Sequence, residues 1–498
     1  MPASVVEDFG NGRSGLEGAR LLAGGTAGPS VLRPLIAEVL DSLAEGAGER
    51  CGPLPRGGPS AVARRVRALV PDALPESGTG PVPALRTLVR LLAEGAADPA
   101  DPLCAAHLHC PPLAVAVAAD LAASALNPSM DSWDQAPAAS ELEAVTCAAL
   151  AGLVYGPGGA ADALMTTGGT ESNQLGVLLS RERHGPGVRV VCGENAHHSV
   201  RRAAWLLGLA APLTVPAPRG VLNPGALARA LEAAGARPSE PGRYLVVATA
   251  GTTDAGDLDP LPAIATVARR YGAQLHVDAA YGGPLLFSDL LRERLAGVEQ
   301  ADSVTLDLHK LGWQPVAAGL FAVPDGAALR PLDHRADYLN AGDDSEAGIP
   351  DLLGRSLRTT RRPDVLKTAV TLRALGRRGM ADLVERTCAA AECLADLVAA
   401  DPEFELRSLP TLSTVVFRPA GAGDGTVAGI RRGLLTEGSA VLGRASLDGR
   451  LWLKATLLNP HVQPSDLSAL LKLVRDAAGT HGTGQPHDTG WWEGPAPR

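Results

Sequence analysis

Between residues 96 and 330 the chain alternates short β-branched runs with amphipathic stretches, a pattern that few folds accommodate. VRVVC (188–192), YLVVATA (244–250), QLHVD (274–278), SVTLD (303–307) and GLFAV (319–323) are short and carry β-branched residues, so each predicts a strand. ESNQLGVLLSRERHG and PLPAIATVARRYG carry the three-to-four-residue apolar spacing of helices with one buried face. Alternation of this kind predicts an α/β layer, a mostly parallel sheet covered by helices. Side chains that do chemistry then belong at strand ends and in the loops that follow.

The flanks read differently. Residues 1–95 have helical spacing, as in VLRPLIAEVLDSLAE and ALRTLVRLLAEG, and predict an N-terminal helical segment without chemistry of its own. The large α/β domain is expected over 96–362, its last thirty or so residues a polar, Gly/Pro-containing loop. Helical stretches such as CAAAECLADLVAAD, with the strands STVVF and LWLKATLL, predict a small C-terminal α+β domain over 363–478. The tail 479–498, with its Trp491-Trp492 pair, is expected to be disordered.

Charge and cysteines exclude several classes. The net charge of −9 is spread along the chain, which argues against a general nucleic-acid or membrane-surface role. No uninterrupted apolar run is long enough to span a bilayer, and the opening MPASVVEDFGNGRSG lacks the pattern of a secretory signal. The seven cysteines are scattered, with no CxxC pair and no zinc spacing, so reduced thiols in a cytoplasmic protein and no metal site are expected. Lysine is scarce: Lys310, Lys367, Lys454 and Lys472 stand among abundant arginines. A retained lysine is then a candidate for work that needs an amine, since arginine stays charged.

Four segments carry candidate chemistry. TTGGTESN (166–173) opens a predicted helix after a short apolar run; its glycines and free N–H groups suit a phosphate, although Thr170 and Ser172 serve equally well as helix caps. AHHSV places His197 and His198 after a strand, where an imidazole can stack on a ring or is simply a loop residue. HVDAAYGG puts Asp278 at the end of a buried strand, where a carboxylate needs a cationic partner, such as a pyridinium nitrogen, or caps the next helix. DLHKLGWQP sets Lys310 just past another strand, where an amine can form a Schiff base.

With these segments in this order, the chain resembles the group II pyridoxal 5′-phosphate (PLP)-dependent decarboxylases of fold type I, the aspartate-aminotransferase-like superfamily. The resemblance runs from about His107 to Pro460, through HLHCPPL, NPSMDSWDQAPAASELE, TTGGTESN, AHHSV, TAGTTDAGDLDP, HVDAAYGG, DLHKLGWQP, LRTTRRPDVLK and LKATLLNP. NPSMDSWDQAP, ADYLN, the TTRR segment and LKATLLNP look most like bacterial L-2,4-diaminobutyrate and lysine/ornithine-type decarboxylases. The resemblance implies that Lys310 anchors PLP, Asp278 pairs with the ring nitrogen, Ala280 lies under the ring and His197 stacks on its other face. It further implies phosphate binding by Gly169, Thr170 and His309, and places Thr249 near the ring hydroxyl. Lys454 falls where relatives carry an arginine for the substrate carboxylate, and His109 and Trp133 lie in segments that resemble the substrate-entry wall. Also implied are a homodimer with its site between subunits and a small amino-acid substrate. A cationic side chain is expected on that substrate, with Asp131 and Asp134 as sources of negative potential. The fold alone equally supports an aminotransferase, a lyase or a decarboxylation-coupled oxidative deaminase. The loop from Leu339 to Leu357 contains no tyrosine, so a proton donor known from aromatic relatives is missing there, and Tyr338 precedes it.

Overall fold

The computed structural model describes residues 22–333, 342–350 and 352–481. Tyr338 and the Trp491-Trp492 tail lie outside them. The strands are β1 (Cys104–Ala105), β2 (Asp162–Thr166), β3 (Arg189–Gly193), β4 (Leu213–Val215), β5 (Tyr244–Thr249), β6 (Gln274–Ala279), β7 (Ser303–Asp307), β8 (Gly319–Val323), β9 (Phe404–Leu406), β10 (Thr414–Pro419), β11 (Val441–Leu447) and β12 (Arg450–Thr456).

A seven-stranded sheet has the order β2-β8-β7-β6-β5-β3-β4. The strands from β4 to β7 pair in parallel, while β8 runs antiparallel to both β7 and β2. Every residue of β5, β7 and β8 is buried; β5 and β8 are almost wholly apolar, as burial under helices on both faces requires, while β7 also buries Ser303, Thr305 and Asp307. Register aligns Thr249 with Asp278 and Asp278 with Thr305, so β5, β6 and β7 end together at one edge. That edge, at the strands' carboxyl ends, is where α/β sheets place ligands.

A second, five-stranded sheet has the order β1-β11-β12-β10-β9. Cys104 and Ala105 pair in parallel with Val441 and Leu442, so a stretch from the 96–362 range lies in the small sheet. Its core is Leu394, Val398, Phe417, Ile430, Leu453 and Leu470, with the helices Val365–Ala400, Asp424–Glu437 and Pro464–His481. The first of these is broken at Gly376, which holds φ 63°, a left-handed value that favours glycine.

Helix Pro137–Tyr155 is long and apolar enough by length and composition to cross a membrane. It buries Cys147, Leu150, Ala151 and Val154 against the large sheet instead, and its Glu143 forms a bidentate pair with Arg361 at 2.6 and 2.7 Å, both side chains almost wholly buried. All seven cysteines are free.

Candidate active site

The small domain closes onto the loop that follows β5. Lys454 Nζ donates to Thr253 O (2.7 Å), Thr411 Oγ1 donates to Gly256 O (2.6 Å), and Arg407 pairs with Asp257 (3.2 Å). From below, Asp259 accepts hydrogen bonds from the backbone N–H of Thr249 and Leu222 and from the Asn195 amide. A cavity of about 370 Å³ lies between loop, sheet edge and small domain.

Its walls bring together Gly169, Thr170, His197, Thr249, Asp278, Ala280, His309, Lys310 and Lys454. His109 and Trp133 are not among the lining residues; both side chains are exposed elsewhere, and His107 lines the cavity instead. Asp131 is buried beside Gln135, whose amide it accepts at 2.7 Å, and neither it nor Asp134 reaches the cavity.

The glycine turn explains itself by space. Gly168 has φ 145°, and a Cβ there would lie 2.8 Å from the His309 ring; a Cβ on Gly169 would lie 2.9 Å from Ala280 Cβ and 3.1 Å from Asp307 Oδ2. Helix Gly169–His184 begins at this turn with no side-chain cap, so its first N–H groups face the cavity. Ser172 is buried against Thr166 (2.8 Å) and Thr170 lines the cavity, so neither acts as the cap that the sequence left open.

Two carboxylates stand at the sheet edge. Asp278 accepts from the Asn173 amide (2.7 Å, on Oδ2) and from Ala280 N–H (3.1 Å, on Oδ1). Asp307 pairs through Oδ2 with Lys310 Nζ at 2.9 Å, while its buried Oδ1 has no hydrogen-bond partner among the described residues.

The histidines are neutral donors by their surroundings. His197 Nδ1 accepts from Ser199 N–H (3.4 Å) and meets Ser199 Oγ at 2.8 Å, which leaves the ring hydrogen on Nε2. Burial lowers its pKa against the opposing pull of Asp278. His309 Nδ1 accepts from Ala318 N–H (3.2 Å), and burial again lowers its pKa against Asp307. Lys454, desolvated in β12, also titrates below its ordinary range.

These residues fit PLP. An amine beside a buried carboxylate, a second carboxylate anchored at a strand end, and a cradle that side chains beyond glycine would fill match an aldehyde, a pyridine nitrogen and a phosphate. Sequence reasoning passed over Asn173, Ser199 and Asp307, although each stands inside a quoted segment; the Asn173 partner Asp278 lies 105 residues on, which spacing does not show, whereas Asp307 stands three residues before Lys310 and was open to notice.

Fold and cavity define a PLP enzyme with an aspartate-aminotransferase-like large domain. The model of the pyridoxal-dependent decarboxylase conserved domain matches residues 64–420, and the chain belongs to that family. It is therefore a PLP-dependent amino-acid decarboxylase. It is 40% identical over 422 residues to L-2,4-diaminobutyrate decarboxylase of Rhizobium meliloti (strain 1021), covering 82% of this chain and 84% of that one. The enzyme of the same name from Acinetobacter baumannii is 34% identical over 446 residues, 82% and 86% of the two chains. Among solved structures, the glutamate decarboxylase domain of diaminobutyrate-pyruvate transaminase and L-2,4-diaminobutyrate decarboxylase from Vibrio parahaemolyticus superposes with a TM-score of 0.81 at 30% identity, covering 96% of this chain and all of that one.

Proposed function

We propose that the enzyme removes the α-carboxylate of an L-amino acid with a cationic side chain, 2,4-diaminobutyrate before ornithine or lysine. The observation that carries it is the placement of Lys310, Asp278, His197 and Lys454 around one cavity in a chain 40% identical to a diaminobutyrate decarboxylase. Lys310 is the covalent anchor, and Asp307 holds its amine in place beforehand. Gly169, Thr170 and His309 would hold the phosphate end, with Thr249 and Ala280 along the ring. Asp278 would pair with the ring nitrogen and keep it protonated, and His197 would cover the ring face. When bound, the cofactor supplies the electron sink for the pair left as the Cα–carboxylate bond breaks. Lys454 holds the substrate carboxylate before it leaves as CO2. His197, after taking up a proton from solvent, would give its Nε2–H proton to Cα and return to the neutral form, the role for which residues 339–357 offer no tyrosine.

Among the described residues the two cavity carboxylates, Asp278 and Asp307, are the ones assigned to the ring nitrogen and to Lys310, so the substrate's cationic end needs an acidic group from elsewhere. A second subunit is the source we favour. Leu40, Leu88, Leu92, Val145 and Trp205 expose large apolar surface that a homodimer would cover. A cytoplasmic location remains part of the same reading. The test is incubation with a panel of amino acids while following CO2 and amine. Preference for an aromatic or acidic substrate would overturn the side-chain assignment.

A further inference from the structure

Beneath the cavity floor lies a fully buried polar network that the chemistry described so far does not use. Asn173 is its hub, 1% exposed, at the fifth position of helix Gly169–His184 where that helix meets the cavity floor. Its Nδ2 lies 2.7 Å from Asp278 Oδ2 and 2.9 Å from Ser199 Oγ. Its Oδ1 lies 3.0 Å from Thr305 Oγ1 and 3.0 Å from His276 Nε2. His276 Nδ1 in turn meets Ser303 Oγ at 2.8 Å.

The carboxylate sets the direction of this network, and the His276 tautomer with its hydrogen on Nε2 is the one that gives the Asn173 amide oxygen two donors. A carboxylate accepts only, so the amide NH2 must face Asp278. The amide oxygen then receives hydrogen bonds from Thr305 and from His276 Nε2–H. His276 is fully buried and its pKa is depressed to about 4, so it is neutral, and Nδ1 accepts from Ser303. Ser199 accepts one amide hydrogen of Asn173 and passes its own hydroxyl hydrogen to His197 Nδ1. All donors point toward Asp278 and His197, and none runs back. Turning the amide over would set its oxygen against a carboxylate and its NH2 against two donors, so Thr305 and His276 lock it.

We propose that Asn173 is the positioning residue of the site: through its two amide hydrogens it aims Asp278 at the ring nitrogen and presents His197 to the cavity as the Nε2–H form. Asn173 reaches the cavity floor, and its part is played through the two side chains it holds, Asp278 and His197 by way of Ser199. It acts by holding Oδ2 of Asp278, leaving that carboxylate's cavity-facing lone pairs fixed, and by keeping Ser199 turned toward His197. The inference rests on the assignment of Asp278 to the ring nitrogen made above.

The test compares equilibrium binding of PLP and of its 1-deaza analogue, in which C–H replaces the ring nitrogen, to the full-length apoprotein. Only the nitrogen distinguishes the two ligands, so the ratio of their affinities reads the aim of Asp278 and not the general state of the pocket. Wild type is expected to prefer PLP strongly. Asn173→Ala should reduce that preference at least tenfold. Thr305→Val, which keeps shape and packing but removes one hydrogen bond to the amide oxygen, should reduce it severalfold and serves if the alanine variant does not fold. The pH midpoint of the bound cofactor's visible absorbance should move in the same variants. A ratio unchanged in both variants, together with a collapsed ratio in Asp278→Asn, would overturn the role of Asn173 alone. A ratio unchanged in Asp278→Asn as well would overturn the assignment of Asp278 and this inference with it.

Discussion

At the scale of single residues, Lys310 and Asp307 form the pair on which loading depends. Lys310→Ala should yield no borohydride-fixed cofactor and no turnover, because the other lysine lining the cavity, Lys454, comes from the small domain and is tied to Thr253 O. Lys310→Arg should lose the adduct equally, yet keep a cation beside Asp307 and so melt closer to wild type. A reducible adduct in either variant, seen by mass spectrometry, would move the anchor elsewhere. His276 makes a different prediction. Its folded pKa of about 4 lies below the ordinary 6.5, so the unfolded chain binds more protons between those values and stability falls as pH drops through that window. At about 1.4 kcal/mol per pKa unit the loss approaches about 3 kcal/mol, fully in force only near the lower end. Chemical denaturation of the apoprotein at pH 7 and pH 5 should read about 2 kcal/mol of it. His276→Gln, which can still donate to Asn173, should flatten that part of the pH dependence.

Elements meet through spaces that only small side chains leave open. Helix Gly169–His184 crosses β6 at Gly176, where a Cβ would lie 2.9 Å from His276 Nδ1 and 3.0 Å from Cε1. In an exposed helix, glycine to alanine gains about 1 kcal/mol. Here overpacking against an immobile ring costs about 1–3 kcal/mol, so Gly176→Ala should destabilise on balance and should weaken PLP binding, since the same helix carries the phosphate turn. A variant that melts higher and binds PLP normally would show that the helix can ride outward freely. The same geometry shows what the sequence made legible. Strands such as β5 and β8 were readable because burial on both faces leaves a nearly unbroken apolar run, and Lys310, Asp278 and the glycine turn because they stand at strand ends. β4 has three residues and β11 mixes Gly443 and Arg444 into its run, so neither carries a pattern to read. Asn173 was invisible as a hub, because its partners Ser199, His276, Asp278 and Thr305 come from three later elements. His109 drew notice over His107 for its motif alone; which of the two faces the cavity is set by the chain's turn at His107, where φ is 63°.

For the molecule as a whole, the site exists only where the two sheets close on each other. Tyr281 from the large domain hydrogen-bonds Ser413 and Thr414 of the small one at 2.8 Å each, and Trp313 Nε1 donates to Leu458 O at 2.7 Å. Lys454 is the one charge that the small domain sends into the cavity among the described residues, and Gly443 opposite leaves room for its stem, since a Cβ there would lie 2.9 Å from Lys454 Cε. The large domain supplies every group assigned to the cofactor, so substrate and cofactor binding should separate between domains. Lys454→Met keeps the stem and removes the charge. It should leave PLP affinity and the visible spectrum unchanged while raising KM for the amino acid roughly 10- to 100-fold, the loss expected for one charge-assisted hydrogen bond. The wild-type pH profile should agree in sign. Burial lowers the Lys454 pKa, so its cation is lost at a pH below the ordinary lysine range, and KM should climb on the alkaline side earlier than a surface lysine would allow. In Lys454→Met that alkaline rise should be absent. A normal KM in the variant would leave the carboxylate to some other cation, and Lys454 as a clamp that ties the small domain to Thr253.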